Sequence, residues 1–386
     1  MSKSTLEEQL ANIAIQANAT KKPSPKLSQI YVYPIKSITG IEQSSAWVEQ
    51  QGLCFDRRFM VASLNGRMVT ARENPQMVRV KAALQATGLV LTYPEAEPLH
   101  LNYADFAMDD VTCQVWKDEF QAYSTSQQAN DWFSFIIGKK VQLLFTGEQS
   151  NRRREKIQTN VSFADGYPLL LVSQASLDEL NKRSSVPHNM AQFRPNLVVC
   201  DTEAFAEDSW KRFRIGEVEF EVIKPCMRCV LTTINPKTAM RNELNEPLKT
   251  MATFRANESG VFFGQNVIAK NEGMIHADDK VIILEKKEKD FYPDTSGDIV
   301  KIEPVKRLSI SLNGNIFEGN NQATLLEQAE SAGFSIRNSC RSGYCGACLV
   351  TLESGKVDEK EKLMSSNERE ILACSCVPKS DIEVVD

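Results

Sequence analysis

Alternation of apolar and polar residues dominates the first part of the chain and predicts short β-strands. The runs "SQIYVYPI" and "GLVLTY" alternate in this way, and "RFMVASLNGRMVTA" has the form of two strands joined at Asn65-Gly66. An Asn-Gly pair between alternating apolar runs is a strong hairpin signal. The segment "QQANDWFSFIIGKK" instead spaces its apolar residues like a helix, with Gly138 as the C-cap. The pattern therefore predicts a mainly β unit with one helix.

A second block of elements begins near Asn151. The run "YPLLLVSQASLDELNKR" predicts a buried strand and then a helix capped by Ser173 or Ser176, with Leu177 and Leu180 facing the core. The runs "FRPNLVVC", "VEFEVIKPC" and "DDKVIILEKK" predict further strands. No long alternation of strands and helices is present, so we expect a mainly β fold with α+β elements, built as a barrel and not as a Rossmann domain.

The last quarter of the chain begins with a polar, charged segment. "KKEKDFYPDTSGDIVKIEPVKR" is interpreted as an interdomain linker with little structure of its own. After it, "LSISLNG" and "IFEG" predict a hairpin, and "ATLLEQAESAG" predicts a helix that ends at Gly333. The predicted organisation is an N-terminal extension (1–26), a β-barrel domain (27–147), a second β-barrel domain (150–286), the linker (287–306) and a C-terminal domain (307–386).

Composition excludes several classes of protein. Apolar residues make up 42% and charged residues 25% of the chain, as in soluble globular proteins. No apolar run approaches the ~20 residues that cross a bilayer, and the N-terminal segment has early acidic residues and no signal-peptide core. We expect a cytoplasmic protein without a membrane partner.

Charge is unevenly distributed. The net charge is −5, and residues 307–386 hold 8 Lys and Arg against 12 Asp and Glu. A nucleic-acid partner would require the opposite sign, so none is expected. The dense basic run "NRRREK" (151–156) is interpreted as a solvated loop between domains, with an anion contact as the alternative. There is no phosphate-binding P-loop and no G-x-G-x-x-G motif, so ATP hydrolysis and tightly bound NAD are not expected.

The ten cysteines are clustered, which favours metal or redox chemistry over disulfides. Cys54, Cys113 and Cys200 stand alone and are interpreted as buried structural thiols. Seven others fall into two groups, one in the second β block and one near the C-terminus.

The C-terminal group has plant-type ferredoxin spacing. Cys340 is followed by Cys345 and Cys348, and 26 positions later by Cys374. Gly343 and Gly346 would allow the backbone to fold around a [2Fe-2S] cluster. The fourth ligand is Cys374 or Cys376, which cannot both bind one iron because they lie ~7 Å apart in an extended segment. The resemblance of the last 80 or so residues to a β-grasp ferredoxin selects Cys374, because the ferredoxin pattern has a proline four positions later, as at Pro378.

The other group is the pair in "KPCMRCVLTTINP", Cys226 and Cys229. A Cys-x-x-Cys pair can form a redox disulfide, half of a zinc site, or a thiolate ligand for another metal. Zinc needs a second pair, and the redox motif needs a neighbouring strand–helix–strand unit. Here "VLTTINP" is predicted to continue as a β-rich segment.

A series of motifs identifies a resemblance over residues 28–285. "IYVYPIKSITG", "FDRRFMV", "NGRMVTAREN", "FRPNLVV", "AEDSW", "PCMRCVLTT" and "FGQNV" resemble the MOSC family, in the arrangement of N-terminal MOSC β-barrel and MOSC domain shared with the amidoxime-reducing components. The whole architecture resembles bacterial MOSC–ferredoxin fusions linked to resistance to N-hydroxylated base analogues. The resemblance implies a molybdenum cofactor (a pterin dithiolene with a phosphate tail) whose metal takes Cys229 as ligand.

The resemblance also implies the residues that hold this cofactor. Arg228 would favour the Cys229 thiolate and reach the cofactor phosphate. Bidentate donors suit a phosphate, and the cofactor-binding residues implied by the motifs are Lys36, Ser37, Arg57, Arg194, Asn196 and Arg228. Arg58 competes with Arg57 for its role, and Asp165 either lines the pocket or caps a turn.

The function implied is a reductase that removes oxygen from N-hydroxylated compounds such as hydroxylaminopurines and amidoximes. Electrons would come from a separate NAD(P)H-dependent flavoprotein reductase through the [2Fe-2S] cluster, since this chain has no flavin or NAD motif. The alternatives are a carrier of molybdenum cofactor or sulfur and an electron-transfer subunit of another enzyme. The fused ferredoxin disfavours the carrier, and the pocket motifs disfavour the subunit.

Overall fold

The computed structural model describes residues 24–296, 306–321, 323–338, 343, 346–359, 367 and 369–386. The predicted N-terminal extension, except its last three residues, lies outside the described residues, as do residues 297–305 of the predicted linker. Two predicted cluster ligands, Cys340 and Cys345, also lie outside them. No helix in the described part of the chain is long and apolar enough to span a bilayer.

Strands dominate the structure, as the alternating sequence pattern predicts. Up to residue 147 they are β1 (Lys26–Val32), β2 (Ile41–Gln43), β3 (Ser45–Glu49), β4 (Gly52–Leu53), β5 (Phe59–Ser63), β6 (Lys81–Gln85), β7 (Gly88–Tyr93), β8 (Ala96–Asn102), β9 (Asp110–Val115), β10 (Asp118–Ser124) and β11 (Val141–Phe145). From residue 150 to 286 they are β12 (Arg153–Arg154), β13 (Thr159–Asn160), β14 (Leu169–Ser173), β15 (Leu197–Cys200), β16 (Trp210–Ile215), β17 (Val218–Met227), β18 (Ala256–Asn257), β19 (Gly260–Ala269), β20 (Gly273–His276) and β21 (Val281–Lys286). In the C-terminal region they are β22 (Arg307–Leu312), β23 (Asn315–Asn320), β24 (Leu349–Ser354), β25 (Val357–Glu359), β26 (Glu370–Leu372), β27 (Cys376–Pro378) and β28 (Ile382–Val385).

Few helices accompany these strands. The α-helices are α1 (Gln127–Ile137), α2 (Gln174–Arg183), α3 (Leu248–Ala252) and α4 (Leu325–Ser331). Short 3₁₀ turns occur at Pro75–Arg79, Tyr103–Asp105, Glu155–Ile157, Met190–Gln192, Ala206–Ser209 and Val230–Thr233. The mainly β fold class is therefore confirmed.

The helices begin and end where local chemistry predicts. Helix α1 ends at Gly138, which adopts the left-handed conformation with φ 77°. Of the two candidate caps for α2, Ser173 accepts a hydrogen bond from the Ala175 amide, and Ser176 lies inside the helix. Leu177 and Leu180 of α2 are buried, as their spacing requires.

The predicted hairpin at Asn65-Gly66 forms its turn but not its second strand. Gly66 has φ 80° and its amide donates to the Ser63 carbonyl. The backbone of the next residues bonds to two different strands. Met68 forms a β-bridge with Ala62 of β5, and the Met68 amide donates to the Gln114 carbonyl of β9. The chain then bends into a loop at residues 70–74.

Strand pairing crosses the predicted boundary between the first two domains. The largest sheet has the order β2-β1-β15-β14-β19-β17-β16-β21, with β18 beside β19. Strand β1 runs antiparallel to β15, with Ile30 opposite Leu197, and β3 pairs with β20. The first strands of the chain therefore complete the sheet of the second block and bring residues near position 36 against residues near position 196.

The remaining sheets enclose separate cores. Sheets β5-β11-β10-β9 and β6-β7-β8 pack with α1 around one core, which includes Phe59, Val61 and Phe133. The C-terminal region forms the sheet β23-β22-β28-β24-β26, with α4 packed through Leu325 and Leu326. The hairpin predicted for this region is formed by β22 and β23. The C-terminal region also has its own hydrophobic core.

Candidate active site

Cys229 lies just beyond the end of β17, where two local features fix the backbone. The Arg228 amide donates to the Val261 carbonyl at 2.7 Å, which holds this segment beside β19. The Cys229 carbonyl then accepts from both the amide and the hydroxyl of Thr232, at 3.1 and 3.0 Å. The side chain of Cys229 is half-buried.

The segment after Cys229 corrects the sequence-based prediction. It was predicted to continue as a β-rich segment, but residues Val230–Thr233 form a 3₁₀ turn. The hydroxyls of Thr232 and Thr233 bond to carbonyls three residues earlier, which stabilises a turn despite three β-branched residues. Cys229 therefore occupies the N-cap position of a turn and not a strand interior.

Arg72 makes the hydrogen bond to the Cys229 sulfur, and sequence reasoning assigned it no role. Its Nε lies 3.3 Å from Cys229 Sγ and its Nη2 lies 2.9 Å from Asp165 Oδ2. The guanidinium also lies 4.7 Å from the centre of the Trp116 ring. Arg72 is buried and reaches this position because the chain bends at residues 70–74. Its place in the motif "NGRMVTAREN" was the available signal.

Asp165 lies between two buried cations, which decides the alternative left open by the sequence. Lys36 Nζ donates to Asp165 Oδ1 at 2.5 Å and to the Phe163 carbonyl at 2.9 Å. Trp116 Nε1 donates to the same carboxylate at 3.2 Å. The Asp165 side chain is 50% exposed while Lys36 and Arg72 are 6% exposed. The carboxylate therefore lines the site and presents its open side outward.

The charged side chains of Asp165, Lys36 and Arg72 shift one another's pKa values. Desolvation on the side that faces Lys36 and Arg72 would raise the pKa of Asp165, but these two cations outweigh it and hold that pKa well below its usual range. Burial lowers the pKa of Lys36 to about 8, against the attraction of Asp165. The site thus holds an ionised acid between two cations whose burial makes an added anion favourable.

A second group of cations surrounds Tyr33. The guanidinium carbons of Arg57 and Arg194 lie 4.4 and 4.3 Å from the centre of its ring. Arg57 donates to Asp56 at 2.6 Å and to Asn196 Oδ1 at 3.0 Å. Burial lowers the pKa of Arg194 to about 10. The predicted residues Arg57, Arg194 and Asn196 are therefore brought together.

Three predicted residues share an uncommon backbone conformation. Ser37, Arg57 and Arg194 have φ values of 75°, 49° and 54°. Left-handed conformations are unfavourable for residues with a side chain and are concentrated at functional sites. Three of them in one predicted set support a functional role for this region.

Asn196 connects several of these elements. Its Oδ1 accepts from the Leu170 amide at 3.2 Å, and its Nδ2 donates to the Tyr31 carbonyl at 3.1 Å. With the bond from Arg57, the side chain joins β1, β14 and the cation group. The sequence left Arg57 and Arg58 as competitors, and Arg58 bonds instead to Glu49 and to the Glu148 carbonyl.

Arg228 contacts the other cysteine of the pair. Its Nη1 lies 3.3 Å from Cys226 Sγ and its Nη2 donates to the Phe193 carbonyl at 2.8 Å. In an extended segment, residues two apart share a face and adjacent residues face opposite sides. The side chain in contact with the Cys229 sulfur is therefore Arg72, and the role of Arg228 toward Cys229 and the cofactor phosphate stays a prediction. The Arg228 Nε is buried without a hydrogen-bond partner among the described residues.

The basic run at residues 151–156 was predicted to be a solvated loop, and its other residues are exposed or partly exposed, so the prediction is wrong only at Arg152. Arg152 is buried instead of solvated, and its guanidinium bonds to Asp118 at 2.7 and 2.9 Å. The same group donates to the carbonyls of Ser162, Ala164 and Asp165. Arg152 therefore supports the loop that carries Asp165.

A groove of about 460 Å³ adjoins the turn after Cys229. Its lining includes His188, Asn189, Gln192, Thr233, Arg241 and Asn242. Gln192 Nε2 donates to the Thr232 carbonyl at 3.0 Å, and Arg241 Nη2 donates to the Arg72 carbonyl at 3.2 Å. The groove thus shares walls with the Cys229 turn and the Arg72 loop.

The C-terminal cysteines are partly described. Cys348 and Cys374 are buried, and the Gly343 amide lies 3.1 Å from Cys374 Sγ. Gly343 and Gly346 have φ values of 75° and 72°, as a tight loop requires. Cys376 is fully buried on β27 in the core. These contacts favour Cys374 as a ligand, and the ligand set stays a prediction.

The donor set fits a molybdenum pterin cofactor. A thiol suits a metal with sulfur ligands, and buried guanidinium and ammonium groups suit a phosphate. The unpartnered Arg228 Nε adds a free donor on the other side of the same segment. Nothing in this chemistry conflicts with the cofactor that the motifs imply.

Comparison with known proteins agrees with this description. The MOSC N-terminal beta barrel domain family matches residues 24–140, the MOSC domain family matches residues 158–282, and the 2Fe-2S iron-sulfur cluster binding domain family matches residues 310–379. The structure of pectocin M2 aligns at a TM-score of 0.20 with 27% identity, covering 21% of this chain and 32% of that chain.

The alignments with known relatives cover most of the length of each relative. Mitochondrial amidoxime-reducing component 1 of Xenopus laevis is 31% identical over 287 residues, which is 68% of this chain and 82% of that protein. The Mus musculus protein of the same name is 30% identical, over 71% of this chain and 90% of its own length. The Homo sapiens protein is 30% identical, over 67% of this chain and 82% of its own length. The chain therefore belongs to the MOSC-domain family that includes the amidoxime-reducing components, with a 2Fe-2S binding domain at its C-terminal end.

Proposed function

We propose that this protein is a molybdenum-cofactor-dependent reductase of N-hydroxylated compounds. The observation that carries the proposal is the group formed by Cys229, Arg72, Asp165 and Lys36, in a chain that also holds a 2Fe-2S binding domain. Relatives named amidoxime-reducing components support the same chemistry.

The reaction must consume two electrons and two protons. An N-hydroxylated compound R–NH–OH accepts them, the N–O bond breaks, and the products are R–NH₂ and water. Electrons are supplied one at a time by a separate NAD(P)H-dependent flavoprotein reductase and pass through the [2Fe-2S] domain. This partner is proposed because the sequence has no flavin or NAD motif.

The residues of this chain hold and orient the reacting groups. Cys229 is the proposed molybdenum ligand, and Arg72 fixes the direction of its sulfur. Lys36, Ser37, Arg57, Arg194, Asn196 and Arg228 are the proposed cofactor-binding residues. The bound cofactor supplies two-electron redox chemistry and an oxygen-accepting metal. The groove beside the Cys229 turn is the proposed entry for the substrate.

A carrier of cofactor or sulfur is the competing function. It would use the same pocket but has no need of a one-electron relay. The presence of the 2Fe-2S binding domain at residues 310–379 therefore favours the reductase.

The test combines metal analysis with turnover. The purified, cofactor-loaded protein should contain one molybdenum and two irons per chain and should reduce benzamidoxime and hydroxylaminopurine with reduced mediator. Cys229→Ala should abolish this turnover and leave the iron–sulfur absorption spectrum unchanged, because the two sites use different cysteines. Cys200→Ala, at a half-buried cysteine outside this pair, is the control.

Two results would contradict the proposal. Metal-loaded protein with no turnover on either substrate would favour the carrier. Wild-type turnover by Cys229→Ala would exclude Cys229 as the molybdenum ligand.

A further inference from the structure

Residues 287–296, the first half of the predicted linker, are attached to the second β block. They form neither helix nor strand, yet both ends are hydrogen-bonded to it. The Lys287 amide donates to the Ser209 carbonyl at 2.8 Å, and the Thr295 amide donates to the Thr253 carbonyl at 2.7 Å. We call residues 287–296 the strap.

The middle of the strap is held by side chains. The Tyr292 ring lies 4.3 Å from the guanidinium carbon of Arg255 and 5.8 Å from the Phe262 ring. Arg255 is itself buried and ion-paired with buried Asp208 at 2.8 Å. Asp294 pairs with Arg183, the last residue of α2, at 2.6 Å. The stacked cation, the Asp294–Arg183 ion pair and the two end bonds therefore hold the strap at four points.

The strap lies at the same end of the large sheet as Cys229. Phe262, which contacts Tyr292, pairs with Met227 across β17 and β19. Val261 accepts the Arg228 amide, one residue before Cys229. The paired ends of β17 and β19 therefore lie between the residues that contact the strap and Cys229, the candidate molybdenum ligand.

The covalent chain limits how far the C-terminal domain can reach from this anchor. From residue 296 to residue 306 the chain spans at most ~35 Å, at ~3.5 Å per residue. If the strap were free, the span from residue 286 would be ~70 Å by the same rule. Docking the strap therefore halves the maximum distance that the C-terminal domain can move from its attachment point, and it places that point at the Cys229 end of the large sheet.

We propose that the strap is the anchor of the ferredoxin domain and keeps it near the Cys229 end for electron delivery within one chain. The delivery role rests on the proposed reductase function, and the docking of the strap does not. Because effective concentration falls as about the −3/2 power of tether length, releasing the strap should slow delivery about threefold.

The test uses the full-length holoenzyme and two matched pairs of variants. Tyr292→Ala removes the stacked ring, whereas Tyr292→Phe keeps it and removes only a hydroxyl that has no hydrogen-bond partner among the described residues. Asp294→Ala breaks the pair with Arg183, whereas Asp290→Ala affects only a 4.0 Å contact within the strap.

Two measurements are made on each variant. Limited trypsin cleavage after Lys287 and Lys289, followed by mass spectrometry, should be about tenfold faster in Tyr292→Ala and Asp294→Ala, because local opening exposes the site. Turnover driven by the NAD(P)H reductase should fall about threefold in the same variants. Turnover driven by a reduced viologen that feeds the molybdenum site directly should not change, and both controls should behave as wild type.

The outcomes separate the two parts of the proposal. Equal cleavage in all variants would overturn the docking of the strap. Faster cleavage with unchanged reductase-driven turnover would overturn its delivery role. If the unchanged chain shows no turnover with either donor, the proposed function and the delivery role both fail, and the cleavage comparison still decides whether the strap is docked.

Discussion

At the residue scale, one guanidinium joins the candidate metal ligand to the neighbouring acid. Arg72 contacts both Cys229 and Asp165, and it comes from a loop 157 residues before the cysteine. A buried guanidinium that bonds to a sulfur fixes the direction in which that side chain points. Such a contact cannot be predicted from the spacing of residues in the sequence.

Arg72→Gln is predicted to lower kcat/KM for benzamidoxime about 100-fold, the effect of removing one preorganised charged donor from a reaction site. Asp165 keeps its bond from Lys36, so the fold should be retained. Steady-state kinetics and molybdenum content are measured together, and the iron–sulfur spectrum reports the integrity of the C-terminal domain. Arg72→Lys, which keeps the charge but not the forked geometry, should be intermediate. Unchanged kcat/KM in Arg72→Gln would exclude a role in positioning.

Cys374→Ala is predicted to bleach the visible absorption of the [2Fe-2S] cluster, and Cys376→Ala is predicted to preserve it. The amide of Gly343, which lies between the predicted ligands Cys340 and Cys348 in the sequence, is 3.1 Å from Cys374 Sγ. Cys348, Cys374 and Cys376 all belong to the core of this domain, so it is the Gly343 contact that distinguishes Cys374 from Cys376. Absorption spectra and iron content of the two variants provide the measurement. Bleaching in Cys376→Ala alone would reverse the assignment.

At the element scale, the joint between α2 and the 3₁₀ turn Ala206–Ser209 buries an acid. Glu207 is fully buried and accepts the Ser176 hydroxyl at 2.8 and 3.0 Å. Burial, followed by the adjacent charge of Asp208, raises the pKa of Glu207 from 4.5 to about 7. The folded chain therefore binds a proton that the unfolded chain releases as the pH rises above 4.5.

This linkage predicts a pH-dependent stability. Between about pH 4.5 and 7 the free energy of unfolding should fall as the pH rises, and it should stay lower above pH 7. Glu207→Gln should remove this loss, so its stability relative to wild type should increase by up to about 3 kcal/mol between pH 5 and pH 8. Denaturant unfolding at the two pH values measures the effect. Glu217→Gln, at an exposed position, is the control, and equal pH dependence of Glu207→Gln and wild type would contradict the prediction.

Periodicity was enough to predict the elements that bury one face. Helices α1 and α2, the hairpin β22–β23 and the strands β14, β15, β17 and β21 of the second block follow directly from it. The 3₁₀ turn at Val230–Thr233 does not, because two threonine hydroxyls bond to carbonyls three residues earlier and override β propensity. The second strand after Gly66 is absent for a related reason, since its backbone groups are shared between β5 and β9.

At the scale of the whole molecule, the uneven charge predicts how an electron donor approaches. Residues 307–386 have a net charge of −4 within a chain of net charge −5. Reductase-driven kcat/KM should fall several-fold between 50 and 300 mM salt, because screening weakens the attraction of a basic reductase face. Viologen-driven turnover should change much less. A reductase-driven rate that is independent of salt would indicate that this charge does not steer the encounter.

The sequence by itself determined the strand and helix periods, the fold class, the family motifs and the spacing of the cluster cysteines. These depend on local periodicity and on residue types at short, fixed intervals. Tertiary structure alone decided that Arg72 and not Arg228 contacts Cys229, that Asp165 lies between two cations, and that Arg152 is buried. Such contacts depend on which strands pair and in which register, and on the side of an extended segment to which each residue points, so they are set only when distant segments meet.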